Sequence, residues 1–332
     1  MSTTPVEHTG LLDAFLLDGK GGARRLDWAG VAAWGPNDGI LWVNLDYAQP
    51  DAAAWLAGGA GLEPFVREAL LDIDPRPRAS THGEDLILIV RGINANQSAS
   101  PEDMISVRAF VEPRRIITMR HRISRSLAAL AHEAGQGAAP RGAADLTVSL
   151  VDRIVDHVVA RVDTLHDQIA DTEDDILSEK RGADVRAVLA DHRRRAIALR
   201  RFLAPQRDAL SKLAIIDLPW LTTAHHQQIA EAADRMQRAI EELDAARERA
   251  AVTQEEMASR NSELTNTRLY ILSIITAVFL PLGFVCSLLG VNVGGVPLQG
   301  ERWAFWALLG LFCVGVGAQL WIFRKRGWIK RD

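Results

Sequence analysis

Few side chains in this 332-residue sequence have the types and spacing to do chemistry. Asp163, His166 and Asp167 stand at i, i+3 and i+4, which places them on one face of a helix. Imidazole with carboxylates suits zinc or another divalent ion, although most such triplets are solvated helix surface. His225 and His226 are adjacent, so a helix turns them in different directions. Gly290 and Asn292 close a long uncharged run; alone, the pair reads first as a helix C-terminal cap and only second as a carboxamide ligand. Glu301 is the only acid between two apolar runs and could gather cations or pair with Arg302. Arg193, Arg194, Arg195, Arg200 and Arg201 form a basic cluster, suited to acids on neighbouring helices or to anionic lipid. No P-loop, strand–GxGxxG–helix unit, nucleophile elbow, HExxH or paired-carboxylate motif occurs, so an enzyme is not expected.

The elements that must position these residues are uneven along the chain. Leu269 to Leu289 and Trp303 to Phe323 are each free of charge, and each is 21 residues long. A helix of about 20 apolar residues crosses the hydrocarbon of a bilayer. Spans at 269–289 and 303–323 are therefore expected; the alternative is a buried hairpin in a soluble core. Arg324, Lys325, Arg326, Lys330 and Arg331 follow the second span, and Arg260 and Arg268 precede the first. The linker between the spans carries only Arg302, so both termini should be cytoplasmic. Trp303, Trp306, Trp321 and Trp328 stand near span ends, where indoles favour the interface. The first ten residues lack the basic and apolar regions of a signal peptide.

Residues 1 to about 125 read as mixed α/β. Gly39–Leu45 is a strand candidate with Leu41, Val43 and Leu45 on one face. Leu86–Val90 is a short buried-strand run, and the alternation through Val107, Ala109 and Val111, followed by Ile116–Met119, reads as a hairpin. Short helices are expected at 51–57 and 63–72, and a linker at Gly135–Gly142. From about 145 the apolar residues recur every three or four positions (Leu146, Leu150, Ile154, Val158, Val162, Leu165, Ile169), as in an amphipathic helix. A second helix should cover 183–203 and stop before Pro205. No glycine lies between Gly182 and Gly283 and no proline between Pro219 and Pro281, so a third helix can run unbroken from about 221 into the first span. Met236, Ile240, Leu243, Ala250, Met257 and Leu264 mark a narrow seam on it. A stalk is expected, rather than a helix lying on its own domain. The division expected is 1–142 for a cytoplasmic α/β domain, 143–265 for long helices and stalk, and 266–332 for the two-span region with a basic tail.

Charge bounds the partners. With 38 basic and 42 acidic side chains the net charge is −4, which argues against nucleic acid as a partner. Between 221 and 268 there are nine acids, among them Glu255, Glu256 and Glu263, against six arginines; copies ringing an axis would favour cations there. Two cysteines, Cys286 and Cys313, exclude a disulfide framework. Two spans cannot enclose an aqueous path, so any conducting form must be an oligomer in the bilayer.

A long charged helix runs into an apolar span containing Phe279-Leu280-Pro281-Leu282-Gly283-Phe284. Gly290-Val291-Asn292 follows, then Val293-Gly294-Gly295-Val296-Pro297, a second span and a basic tail. This order resembles the CorA superfamily of divalent cation transporters over essentially the whole chain. The commonest family tripeptide is Gly-Met-Asn; valine in its centre and the glycine-rich loop look more like the zinc-handling ZntB branch. The resemblance implies an α+β membrane protein assembled as a CorA-like homopentamer in the bacterial cytoplasmic membrane. It implies a selectivity filter of Gly290, Val291 and Asn292 at the outer mouth. Matching the first span residue by residue turns Asn266, Leu269, Leu272, Leu280 and Gly283 toward the axis, with Gly283 where magnesium-type relatives typically carry threonine. Neutral carboxamides can hold a hydrated divalent ion weakly enough to release it, and leucine rings can gate by dewetting.

The expected activity is therefore transport of divalent cations, zinc foremost, with no bound cofactor. A divalent ion entering a compartment 100 mV negative gains about 4.6 kcal/mol, so unaided flow should be inward. Neither span contains Asp, Glu, His, Lys or Arg, so any proton coupling should arise in the cytoplasmic funnel or outer loop. The alternatives are a magnesium or cobalt channel and, in a different class, a membrane-anchored ligand-binding or signalling module.

Overall fold

The computed structural model describes residues 10–94, 96, 100, 102–177, 182–290 and 301–325. Seven strands form one mixed sheet: β1 (Leu11–Leu17), β2 (Ala23–Arg25), β3 (Ile40–Asp46), β4 (Arg78–His82), β5 (Asp85–Gly92), β6 (Ile105–Val111) and β7 (Arg115–Arg120). Their order is β2-β1-β3-β7-β6-β5-β4, with β3 and β7 parallel and every other pair antiparallel. The continuous apolar run in β5 serves two cores at once. Leu86, Leu88 and Val90 join one cluster, and Ile87 and Ile89 the other. On β3, Leu41, Val43 and Leu45 share a face as expected, and Trp42 points the opposite way.

Three short helices cover the first face: α1 (Trp28–Ala33), α2 (Pro50–Ala54), which continues as one wider turn to Gly59, and α3 (Pro64–Leu71). Asp27 caps α1 through its side chain on the Gly30 amide. Gly39, at a φ of +132°, brings the chain into β3; a Cβ there would sit 3.0 Å from the Leu17 carbonyl oxygen, so the turn requires glycine.

Four longer helices supply the second face: α4 (Arg125–Gly135), α5 (Ala143–Leu177), α6 (Gly182–Leu213) and α7 (Thr223–Leu289). The heptad-like positions of α5 from Leu146 to Ile169 are buried as their period requires. The expected stop before Pro205 does not occur. Proline interrupts the hydrogen-bond ladder at a cost of about 3 kcal/mol, but Leu199, Leu203, Leu210 and Leu213 bury the α6 face on both sides of it. Gln206, fully buried, also accepts the Arg91 amide at 2.5 Å and anchors that turn to β5.

The seam on α7 is likewise occupied within the chain. Met236, Ile240, Leu243 and Ala250 are buried in the same core as α5 and α6, so this stretch packs on its own domain, while α7 runs on unbroken to Leu289 as the long helix expected. Polar ties reinforce it: Arg235 reaches Asp152 at 2.6 Å and also Asp156, Arg200 reaches Asp244 at 2.7 Å, and Thr253 donates to Glu173 at 3.0 Å. Beyond this point the seam fades, and Leu264 is exposed. The chain divides into two compact units, one up to Gln254 and one from Glu255 onward. The second contains the end of α7 and a final helix, α8 (Ala304–Lys325).

Candidate functional site

Among the described residues, two helical segments are long and apolar enough to cross a membrane: the end of α7 and the whole of α8. Their large apolar side chains lie exposed around the helices. Leu269, Leu272, Phe279, Leu280, Phe284 and Leu288 are exposed on α7, as are Leu311, Val314 and Trp321 on α8. A helix apolar all round and not covered by its own chain is what a bilayer or an oligomer completes. Near the ends, Lys325 Nζ lies 5.1 Å over the Trp321 ring, and Phe305 meets Trp306 edge-on at 5.5 Å. The indoles and the lysine favour an interface.

The residues expected to face an ion path share one stripe of α7. At about 100° per residue, Asn266, Leu269, Leu272, Leu280, Gly283 and Gly290 fall within a sector about 120° wide. All are exposed within the single chain. Ser273, Thr276 and Ser287 occupy the same sector and were not picked out from the sequence, where they passed as small residues in an apolar run. Stepping the polar positions by the helical period would have found them. Ser273 and Thr276 donate their hydroxyl protons back to the Leu269 and Leu272 carbonyls, both at 2.8 Å. Their oxygens keep lone pairs that can accept from a cation's hydration water.

A Cβ added at Gly283 would meet nothing within 4 Å, so packing inside one chain does not demand glycine there. The Gly290 amide donates to the carbonyls of Cys286 at 3.0 Å and Ser287 at 3.2 Å and closes the helix. Val291 and Asn292 lie outside the described residues. Glu301 is exposed, and its carbonyl accepts from the Ala304 amide at 3.1 Å, at the start of α8; it forms no ion pair with Arg302. The two helices are joined by Gln319 Nε2, which donates to the Ala277 carbonyl at 2.5 Å.

The other candidates are dispersed. Asp163 and Asp167 are exposed and His166 is half-buried on α5. Among the described residues, no group of three or more His, Cys, Asp and Glu side chains could hold a metal ion. His225 is engaged locally, its Nε2 3.0 Å from Asp145 Oδ1 and its Nδ1 accepting the Thr222 amide at 3.1 Å. The basic cluster on α6 does find acids: Arg194 and Arg195 pair with Asp191, and Arg200 with Asp244. Glu255, Glu256 and Glu263 are exposed.

Comparison with known proteins agrees over almost the full length. A family model described as "CorA-like Mg2+ transporter protein" matches residues 37–325. A Pseudomonas aeruginosa protein named "Divalent cation transporter CmaX" is 36% identical over 330 residues, covering 97% of this chain and 98% of its own. A Yersinia enterocolitica protein named "Zinc transport protein ZntB" is 34% identical over 316 residues, 95% of each chain. The structure described as that of "the full-length CmaX protein" superposes with a TM-score of 0.85 at 36% identity, over 97% of this chain and 99% of that one.

Proposed function

The chain belongs to the CorA-like Mg2+ transporter family, and from that membership we propose that it moves divalent metal cations, zinc foremost, across the bacterial cytoplasmic membrane. The family is one of ion transporters, not enzymes. The observation that carries the reading is the near-full-length match to relatives named for divalent cation and zinc transport, together with an exposed stripe that a single chain leaves uncovered.

Five copies would place the α7 stripes around a common axis, with both termini in the cytoplasm. Asn266 would form a polar ring at the inner entry. Leu269, Leu272 and Leu280 would form apolar constrictions, and Thr276 and Ser287 hydroxyl rings between and beyond them. Gly290, Val291 and Asn292 would make the filter, where carboxamide oxygens meet the ion's bound water. Glu301 would add negative charge at the outer mouth. Membrane potential then drives the ion inward.

Flux into proteoliposomes tests this with zinc, magnesium and cobalt offered singly and in competition. Zinc should outcompete the other two, and Asn292→Ala should lower flux roughly tenfold, equivalent to about 1.4 kcal/mol at the barrier. Unchanged flux and selectivity in the variant would remove the filter assignment. The matching family's magnesium description favours a second reading, a magnesium or cobalt channel; dominance of magnesium in the competition would select it.

A further inference from the structure

The sheet gathers an unassigned cluster of cations at one edge. Strands β3, β5 and β7 run in the same direction and β6 runs opposite. The carboxyl ends of three strands and the start of β6 therefore meet at a single end, the side on which open α/β sheets bind ligands. There a cleft of about 620 Å³ opens between this edge and α6, within the size range of small-molecule sites. Arg91, Arg108, Arg122 and Arg201 line it, with the rings of Tyr47 and Phe202.

Two of these arginines are built into the wall. Arg108 is 1% exposed and has no carboxylate within ion-pair distance among the described residues. Neutral acceptors hold its fork instead: Ser106 Oγ at 3.3 Å, the Tyr47 hydroxyl at 3.1 Å and the Leu70 carbonyl. Its guanidinium carbon lies 4.5 Å from the Tyr47 ring centre. Burial lowers its pKa below the usual guanidinium range; Tyr47 and Asp72 oppose the shift, and nearby Arg91 adds like-charge repulsion. Arg91 is 8% exposed; one nitrogen reaches Asp74 at 2.7 Å, while its Nε is buried without a partner. Arg91 and Arg201, from different elements, lie 4.9 and 5.6 Å from the same Phe202 ring. Of the acids on the lining, Glu102 is engaged by Arg161 at 2.5 Å and Asp103 is exposed.

A buried cation hydrogen-bonded only to neutral groups, beside a second whose Nε has no partner, leaves positive charge only partly compensated by Asp72 and Asp74. We propose that this cleft binds a phosphate-bearing anion. Guanidinium forks match phosphate oxygens in geometry and charge, and the volume with its aromatic walls suits one that carries a planar ring. This site uses no residue of the proposed ion path.

Equilibrium binding to the detergent-solubilised full-length protein tests the proposal, with ATP, orthophosphate and chloride as potassium salts in excess EDTA. ATP or orthophosphate should bind saturably while chloride does not compete. Whichever binds identifies the source, nucleotide or free phosphate. Arg122→Gln and Arg201→Gln are at exposed positions and should fold normally; together they should weaken binding roughly tenfold or more. Arg91→Gln should weaken it as well. No saturable binding of either compound, equal competition by chloride, or unchanged affinity in the folded double variant would overturn the assignment.

Discussion

Trp42 and Leu280 are both large apolar residues, yet they live in opposite surroundings. Trp42 is fully buried, its ring tilted against Phe15 and its Nε1 donating to Thr118 Oγ1 at 2.9 Å. Leu280 is 66% exposed. The contrast holds for their whole regions. Up to Gln254 the chain closes two cores on the faces of one sheet, and many of its charges find partners. From Glu255 the apolar side chains point outward on α7 and α8, and Gln319 supplies a polar tie between them. The first region is complete as one chain. The second is a surface that needs lipid or further copies, which is where a transport path would have to be built.

The strongest way to break that contrast is truncation in each region. Trp42→Ala should destabilise the first region by about 3–5 kcal/mol, read as a lowered melting temperature by circular dichroism. Leu280→Ala should change the same melt by less than about 1 kcal/mol while altering ion flux. Equal losses from both would show that the helical pair has a core of its own.

A buried ion pair offers a comparable test. Arg161 and Glu102 meet at 2.5 Å with side-chain exposures of 12% and 7%. Arg161→Met leaves a buried carboxylate and should cost about 3–5 kcal/mol, whereas replacing both partners by apolar residues should cost much less. Chemical denaturation of the two variants separates these outcomes; equal losses would contradict a pair held mainly by mutual need.

A pH effect should also be confined to the first region. His192, buried, and His157, more exposed, have pKa values lowered by desolvation, with Arg195 and Arg125 respectively adding repulsion. Their unfolded pKa is about 6.5. The unfolded state then binds protons first as pH falls, so stability is lost from about pH 6.5 down through the folded pKa values. Melting temperature should drop between pH 7.5 and 5.5, and His192→Gln should flatten the drop. A melt that stays level for the native protein would contradict the sign.

The smallest effect belongs to the helical pair. Gln319→Leu removes the bond to the Ala277 carbonyl and should cost about 0.6 kcal/mol, as interhelical hydrogen bonds in membranes typically do. Detergent-titration unfolding can resolve it, and a loss several times larger would mean that the pair depends on this one contact.

Much of this was legible in the sequence because its signals are local. The strands at β3, β5, β6 and β7, the α5 period and the two apolar helices follow from patterns that a few residues define. Others were not legible. The short β2 (Ala-Arg-Arg) carries no alternation to read, and β4 (Arg-Ala-Ser-Thr-His) is held by pairing with β5 rather than by its own apolar residues. The continuation of α6 through Pro205 depended on Leu210, Leu213 and Gln206 finding burial, which no local rule states. On the site, only the resemblance to the CorA superfamily turned Asn266, Leu269, Leu272, Leu280 and Gly283 toward a common axis, and attention to apolar length hid Ser273 and Thr276 among them.

By itself the sequence determined the two uncharged spans, the mixed α/β beginning and the order of elements, since hydropathy and helical period depend only on neighbours along the chain. Tertiary structure decided where the first part of the α7 seam goes, into the core shared with α5 and α6, because burial is a competition among distant surfaces. It also decided that Arg91, Arg108, Arg122 and Arg201, scattered over 110 positions, share one cleft. Only the direction and order of strands could bring those charges together.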